Sequence, residues 1–159
     1  MKRRAKILLW LGAIALGLFL VGRFVVLPRL VYGESMSPTL NAWELCLMQP
    51  VYHYRPRRGD IVMFRTADDP PLYFVKRVIA LPNETIAINH GVVTINGVPL
   101  REPYTTVNPD WQMGPTLVST GKVFVIGDNR DLPQEDYVLG LVATRLVKAR
   151  LLWHWRWKK

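Results

Sequence analysis

The sequence predicts a mostly β protein, an antiparallel sheet or barrel-like domain behind one N-terminal transmembrane helix. Three observations lead there. After residue 30 the apolar residues fall into short runs, several rich in valine and isoleucine, cut by proline, glycine and asparagine. Asn96-Gly97 asks for a two-residue type I′ turn, in which both residues take positive φ. Before residue 30, Ile7 to Gly22 is uncharged between Lys6 and Arg23. At 159 residues the chain allows one compact domain beyond that segment.

In order, residues 1–6 carry Lys2, Arg3, Arg4 and Lys6. The apolar stretch at 7–27 reads as an anchor, because lysine and arginine side chains at its ends can reach the interfaces and lengthen the usable span. A cleavable leader has the same outline, but the bulky Arg23-Phe24-Val25-Val26-Leu27-Pro28 offers no small-x-small site. The basic start then stays in the cytoplasm and 28–159 lies on the extracytoplasmic side of the cell membrane. The net charge of +9 gathers at the two ends, which suits a membrane surface better than a nucleic-acid groove. The single cysteine, Cys46, can make no internal disulfide or metal cluster.

Pro28 to Tyr32 leads into a polar break, Gly33 to Leu40. Beyond it, strands are expected at Glu44–Met48, Ile61–Arg65, Tyr73–Ala80, Thr85–Ile88, Val92–Ile95, Lys122–Ile126 and Arg145–Trp153. Arg101 to Gly121 has the least pattern and reads as a surface loop or lid. The tail, Leu151 to Lys159, alternates tryptophan with basic residues and suits a lipid headgroup zone.

Lys76 is the anomaly, a lysine in the middle of an apolar strand. Alternation puts it on one face with Phe74 and Val78, while Val75, Arg77 and Ile79 share the other. On a solvated face it is unremarkable. On a buried one its ammonium is disfavoured, and a neutral amine can take a proton from a serine hydroxyl. The three histidines fall in a loop, a hairpin turn and the tail, poor places for a triad.

The order of Ser35-Met36-x-Pro38-Thr39-Leu40, Arg58-Gly59-Asp60-Ile61-Val62, Phe74-Val75-Lys76-Arg77-Val78 and Gly127-Asp128-Asn129-Arg130-Asp131 resembles the type I signal peptidases. These are membrane-bound serine proteases that remove signal peptides from exported preproteins. The resemblance runs from the anchor to about Trp153 and implies Ser35 as nucleophile and Lys76 as general base, with no metal or cofactor. It implies one oxyanion donor in the Ser35 N–H. Gly33 stands where many relatives carry a second donor, a serine. Met36 would pack beside the dyad, and Asp128 and Arg130 would brace the strand bearing Lys76. Substrate would enter as an added strand, its small side chains (Ala-x-Ala type) against Val31, Leu40, Phe74 and Val75.

The departure follows Arg130, where the family's Ser-x-Asp-Ser-Arg is replaced by Pro133-Gln134-Glu135-Asp136-Tyr137. The hydroxyl that helps orient the lysine is therefore missing. Alternatives are a processing peptidase for one client such as a conjugative pilin, a non-cleaving scaffold of the same fold, and a self-cleaving serine-lysine repressor.

Overall fold

In the computed structural model, residues 2–24, 26–105, 108, 110–132 and 140–155 are described. An N-terminal helix, α1 (Lys2–Phe24), is followed by β1 (Leu27–Leu30), so the helix stops short of Leu27, which already pairs with Met48. Side chains 6–20 form the longest unbroken described stretch of α1, and Ile7 to Leu20 are exposed on every face. Among the described residues, no helix is long and apolar enough to cross a membrane.

The remainder is antiparallel β. β2 (Leu45–Pro50), β3 (Ile61–Arg65), β4 (Tyr73–Ala80), β5 (Thr85–Asn89), β6 (Val92–Ile95), β7 (Val98–Pro99), β8 (Met113–Leu117), β9 (Lys122–Ile126), β10 (Gly140–Ala143) and β11 (Val147–Trp155) form two sheets. One has seven strands in the order β1-β2-β11-β3-β4-β9-β10, the other four in the order β7-β6-β5-β8.

The period-2 pattern explains why both faces of the larger sheet are buried. Val62, Phe64, Val78, Val123, Val125 and Val147 form a core on one side, and Ile61, Met63 and Ala149 join Met36, Leu40 and Met48 on the other. The far end of the sheet, with Ile79, Ala80, Phe124 and Ile126, packs on Ile86, Ile88 and Val93 of the smaller sheet. Asn96 (φ 51°) and Gly97 (φ 79°) make the expected turn, here joining β6 to β7.

One expectation is corrected. Arg101 to Gly121 is not a lid, because β8 within it pairs with β5 and both Trp111 and Val118 are buried. Gly114 and Pro115 hide the strand from a propensity reading, but β8 is an edge strand, where a proline costs no ladder bond. The strand expected at Arg145–Trp153 is found as β11, which lies between β2 and β3 and runs on to Trp155, while Trp153 and Trp155 stay exposed and stack edge to face at 5.4 Å. Residues 156–159 lie outside the described residues.

Trp111 is 1 % exposed and donates its indole N–H to Leu132 O at 3.2 Å. Trp111→Ala is expected to lower the unfolding free energy by about 3–5 kcal/mol. Leu117→Ala at an exposed site should cost less than about 0.5 kcal/mol. Urea unfolding of the two variants followed by circular dichroism checks this, and equal losses would remove Trp111 from the core.

Candidate active site

The polar break after β1 folds into a tight loop. Ser37 N–H donates to Glu34 O (2.9 Å), Leu40 N–H to Met36 O (2.9 Å), and Trp43 N–H to Val31 O (2.8 Å). Met36 and Leu40 plug it into the core at 1 % and 0 % exposure. Ser37 donates its hydroxyl to Asn41 Oδ1 at 3.1 Å, and Asn41 is itself held by the Glu44 carboxylate. Ser37 is thus engaged within its own loop, whereas Ser35 lines a cleft. Gly33 has φ +83°, a backbone conformation L side chains rarely adopt, with nothing within 4 Å of a Cβ there. A serine at this position would be opposed by backbone strain rather than by lack of space.

The cleft, about 830 Å³, runs between the segment Leu27 to Ser35 and the start of β4. Val31, Phe74 and Val75 line it, with Met48 and Met63 among its other walls. Leu40 does not. It lies fully buried in the core cluster beneath, packed with Met36 and Met48. Cys46 also reaches the cleft, but burial, with a smaller contribution from Glu44, pushes its thiol up to about 11. A thiol so raised stays protonated near neutrality and is a poor nucleophile.

Lys76 lies opposite Val62 in the β3–β4 ladder and is 3 % exposed. Burial lowers its pKa from 10.5 to about 8, with Asp128 acting in the opposite sense. The next residue, Arg77, is the hub of the region. Its Nε and Nη2 donate to the two Asp128 carboxylate oxygens at 2.8 and 2.5 Å, and Nη1 to Gly59 O at 3.0 Å. Nη2 also reaches Thr39 Oγ1 at 3.4 Å, and the guanidinium lies over the Tyr104 ring at 3.9 Å.

The loop Gly127 to Asp131 ties the two segments together. Asn129 donates its backbone N–H to Ser35 O and its side-chain amide to Glu34 O, each at 3.1 Å, while Asp128 grips Arg77 beside Lys76. Arg130 has a different task from the one expected. It pairs with Glu102 at 2.6 Å, donates to Gly127 O at 3.0 Å and lies over Trp111. It anchors Glu102 and Trp111 rather than β4, and Thr105 donates to Asp128 O. Arg77, Tyr104 and Glu102 were not singled out from sequence. Only Arg77 left a signal, a second charge inside an apolar strand. The altered stretch Pro133 to Tyr137 lies outside the described residues.

Comparison with known proteins identifies the family. The family profile for signal peptidases, peptidase S26, matches residues 3–155. The chain is 38 % identical over 136 residues to a signal peptidase I of Leptolyngbya laminosa, covering 80 % of this chain and 67 % of that one. It is 36 % identical over 149 residues to a probable signal peptidase I of Synechocystis, covering 87 % and 76 %. A solved signal peptidase I of Enterococcus faecalis superposes with a TM-score of 0.49 at 29 % identity, over 62 % of this chain and 97 % of that one, too loosely for residue-by-residue comparison. With a profile match spanning nearly all of its length, the chain belongs to the signal peptidase family, peptidase S26, and is a peptidase.

Proposed function

We propose that this protein is a membrane-bound serine endopeptidase that removes signal peptides from exported preproteins through a Ser35–Lys76 dyad. The observation that carries the reading is one loop, 127–131, fastened both to a cleft-lining serine and to the strand of a buried lysine whose amine is depressed to about 8. A lysine so placed is neutral in a useful fraction near pH 8 and can act as a base.

The chemistry follows. Lys76 Nζ takes the Ser35 hydroxyl proton as Oγ attacks the scissile carbonyl. The oxyanion is met by the Ser35 backbone N–H and, at Gly33, by backbone rather than by a side-chain hydroxyl. Collapse breaks the C–N bond, the lysine proton goes to the departing amine, and an acyl ester remains on Ser35. Water, deprotonated by the again neutral Lys76, hydrolyses that ester and releases the signal peptide acid. No step calls for a metal or cofactor.

Substrate would lie extended between residues 30–32 and 73–75, pairing through its backbone. Val31, Phe74 and Val75 then leave room for small side chains, and Leu40 supports the floor from below. An α-helix apolar all round with exposed side chains from Ile7 to Leu20 needs an apolar medium, which supports reading α1 as a single-pass anchor with the domain outside the cytoplasm.

Ser35→Ala and Lys76→Ala are each expected to lower kcat/KM on a preprotein by at least about 10³-fold in purified, detergent-solubilised enzyme. Cleavage retained by either variant removes it from the dyad. A panel of unrelated preproteins tests breadth, since activity on only one client would make this a specialised processing peptidase. In kcat/KM against pH, activity should rise with a midpoint of about 8, because Lys76 is active only after losing its proton. A limb centred near the ordinary lysine value of 10.5 would mean that burial does not tune it.

A further inference from the structure

A second concavity, about 250 Å³, shares no lining residue with the cleft and is lined by Tyr52, His53, Tyr54, Arg55, Arg57 and Arg150, among others. No carboxylate is among its lining residues. The connection from β2 to β3 that forms it is pinned from below. Asp60 Oδ2 accepts from the Tyr54 hydroxyl at 2.8 Å and from Arg57 N–H at 3.3 Å. Arg150 is held by one contact, Nε to Gln49 Oε1 at 2.8 Å. The ion pairs among the described residues join Arg58 to Glu84, Arg77 to Asp128, Arg130 to Glu102 and His154 to Glu44, so none involves Arg55, Arg57 or Arg150.

Its place in the fold says what it could hold. Leu27 pairs with Met48, Gln49 with Arg150 and Pro50 with Ala149, so the concavity opens just beyond the end of β1 that receives α1. At about 3.3 Å per residue, both Phe24 at the helix end and Val51 at the rim lie within roughly 10 Å of the Leu27–Met48 pair. Three guanidiniums with donors to spare are suited to a phosphodiester, which they can grip bidentately, and tyrosines prefer the headgroup depth of a bilayer. The volume suits one small anionic group, whereas a nucleic acid would need a long basic stripe.

We propose that this concavity is a binding site for the phosphodiester headgroup of an anionic phospholipid, taken from the leaflet into which α1 inserts. The assignment rests on reading α1 as the membrane anchor. The site would seat the domain against the bilayer independently of the catalytic cleft.

The test is native mass spectrometry of the full chain in neutral maltoside micelles, with added phosphatidylglycerol or phosphatidylcholine. Wild type should retain one phosphatidylglycerol in preference to phosphatidylcholine. The double variant Arg55→Gln/Arg57→Gln should bind it about thirty-fold more weakly, about five-fold per charge removed. Arg150→Lys, which keeps the charge and loses the fork, should fall between, and Lys122→Gln should match wild type. Melting temperature confirms that each variant is folded. Undiminished retention in the folded double variant overturns the site, as does displacement of the lipid by equimolar inorganic phosphate, which would make the ligand a soluble anion. Cleavage of a preprotein in the same micelles keeps the two readings separate. Lipid retained without cleavage sinks the peptidase assignment and upholds the site, while cleavage without arginine-dependent lipid retention does the reverse.

Discussion

The contact on which the site depends is the Arg77–Asp128 pair. Asp128 is 1 % exposed, and a carboxylate so buried is tolerable only because a guanidinium meets both of its oxygens and Thr105 satisfies its backbone carbonyl. Removing one partner of such a pair leaves a buried charge, typically costing about 3–5 kcal/mol. Here the loss would spread, because Arg77 also touches Gly59, Thr39 and Tyr104, four chain segments meeting on one side chain. The pair is therefore the joint between β4, the Ser35 loop and the loop 127–131. Arg77 takes both Asp128 carboxylate oxygens, and at the neighbouring Lys76 desolvation outweighs the carboxylate in setting the lysine's proton affinity.

What could be read in advance divides along a physical line. The strands foreseen, β2, β3, β4, β5, β6, β9 and β11, are all interior to their sheets. Flanked on both edges and buried on at least one face, they must be apolar and rich in branched residues, which leaves a pattern. The strands overlooked, β1, β7, β8 and β10, are the edges of the two sheets. Edge strands need fewer ladder bonds and tolerate proline, and Pro28, Pro99 and Pro115 sit in three of them while Gly140 opens the fourth. The same residues that protect an edge from unwanted pairing erase its signature.

The candidate site left only a partial trace in the sequence. Ser35 and Lys76 stood out because each breaks its surroundings, one in a polar turn after an apolar run and the other as a charge in an apolar strand. Leu40 and Arg130 were assigned to the right region and the wrong task. Their sequence neighbourhoods do not say whether a leucine faces a cleft or a core, or which of two nearby carboxylates an arginine will meet. Glu102 and Tyr104 left no signal at all, since their role exists only once they meet Arg130 and Arg77 in the folded chain.

The position of β11 bears on when the site can exist. Ser35 belongs to the β1–β2 side of the larger sheet and Lys76 to the β3–β4 side, and β11 is the strand between them. Until residues 147–155 have arrived, these two halves share no ladder, however well each hairpin has formed. Joining the Ser35 side and the Lys76 side in one sheet is thus a late, long-range event in folding, and a chain still lacking residues 147–155 would carry both residues in separate halves.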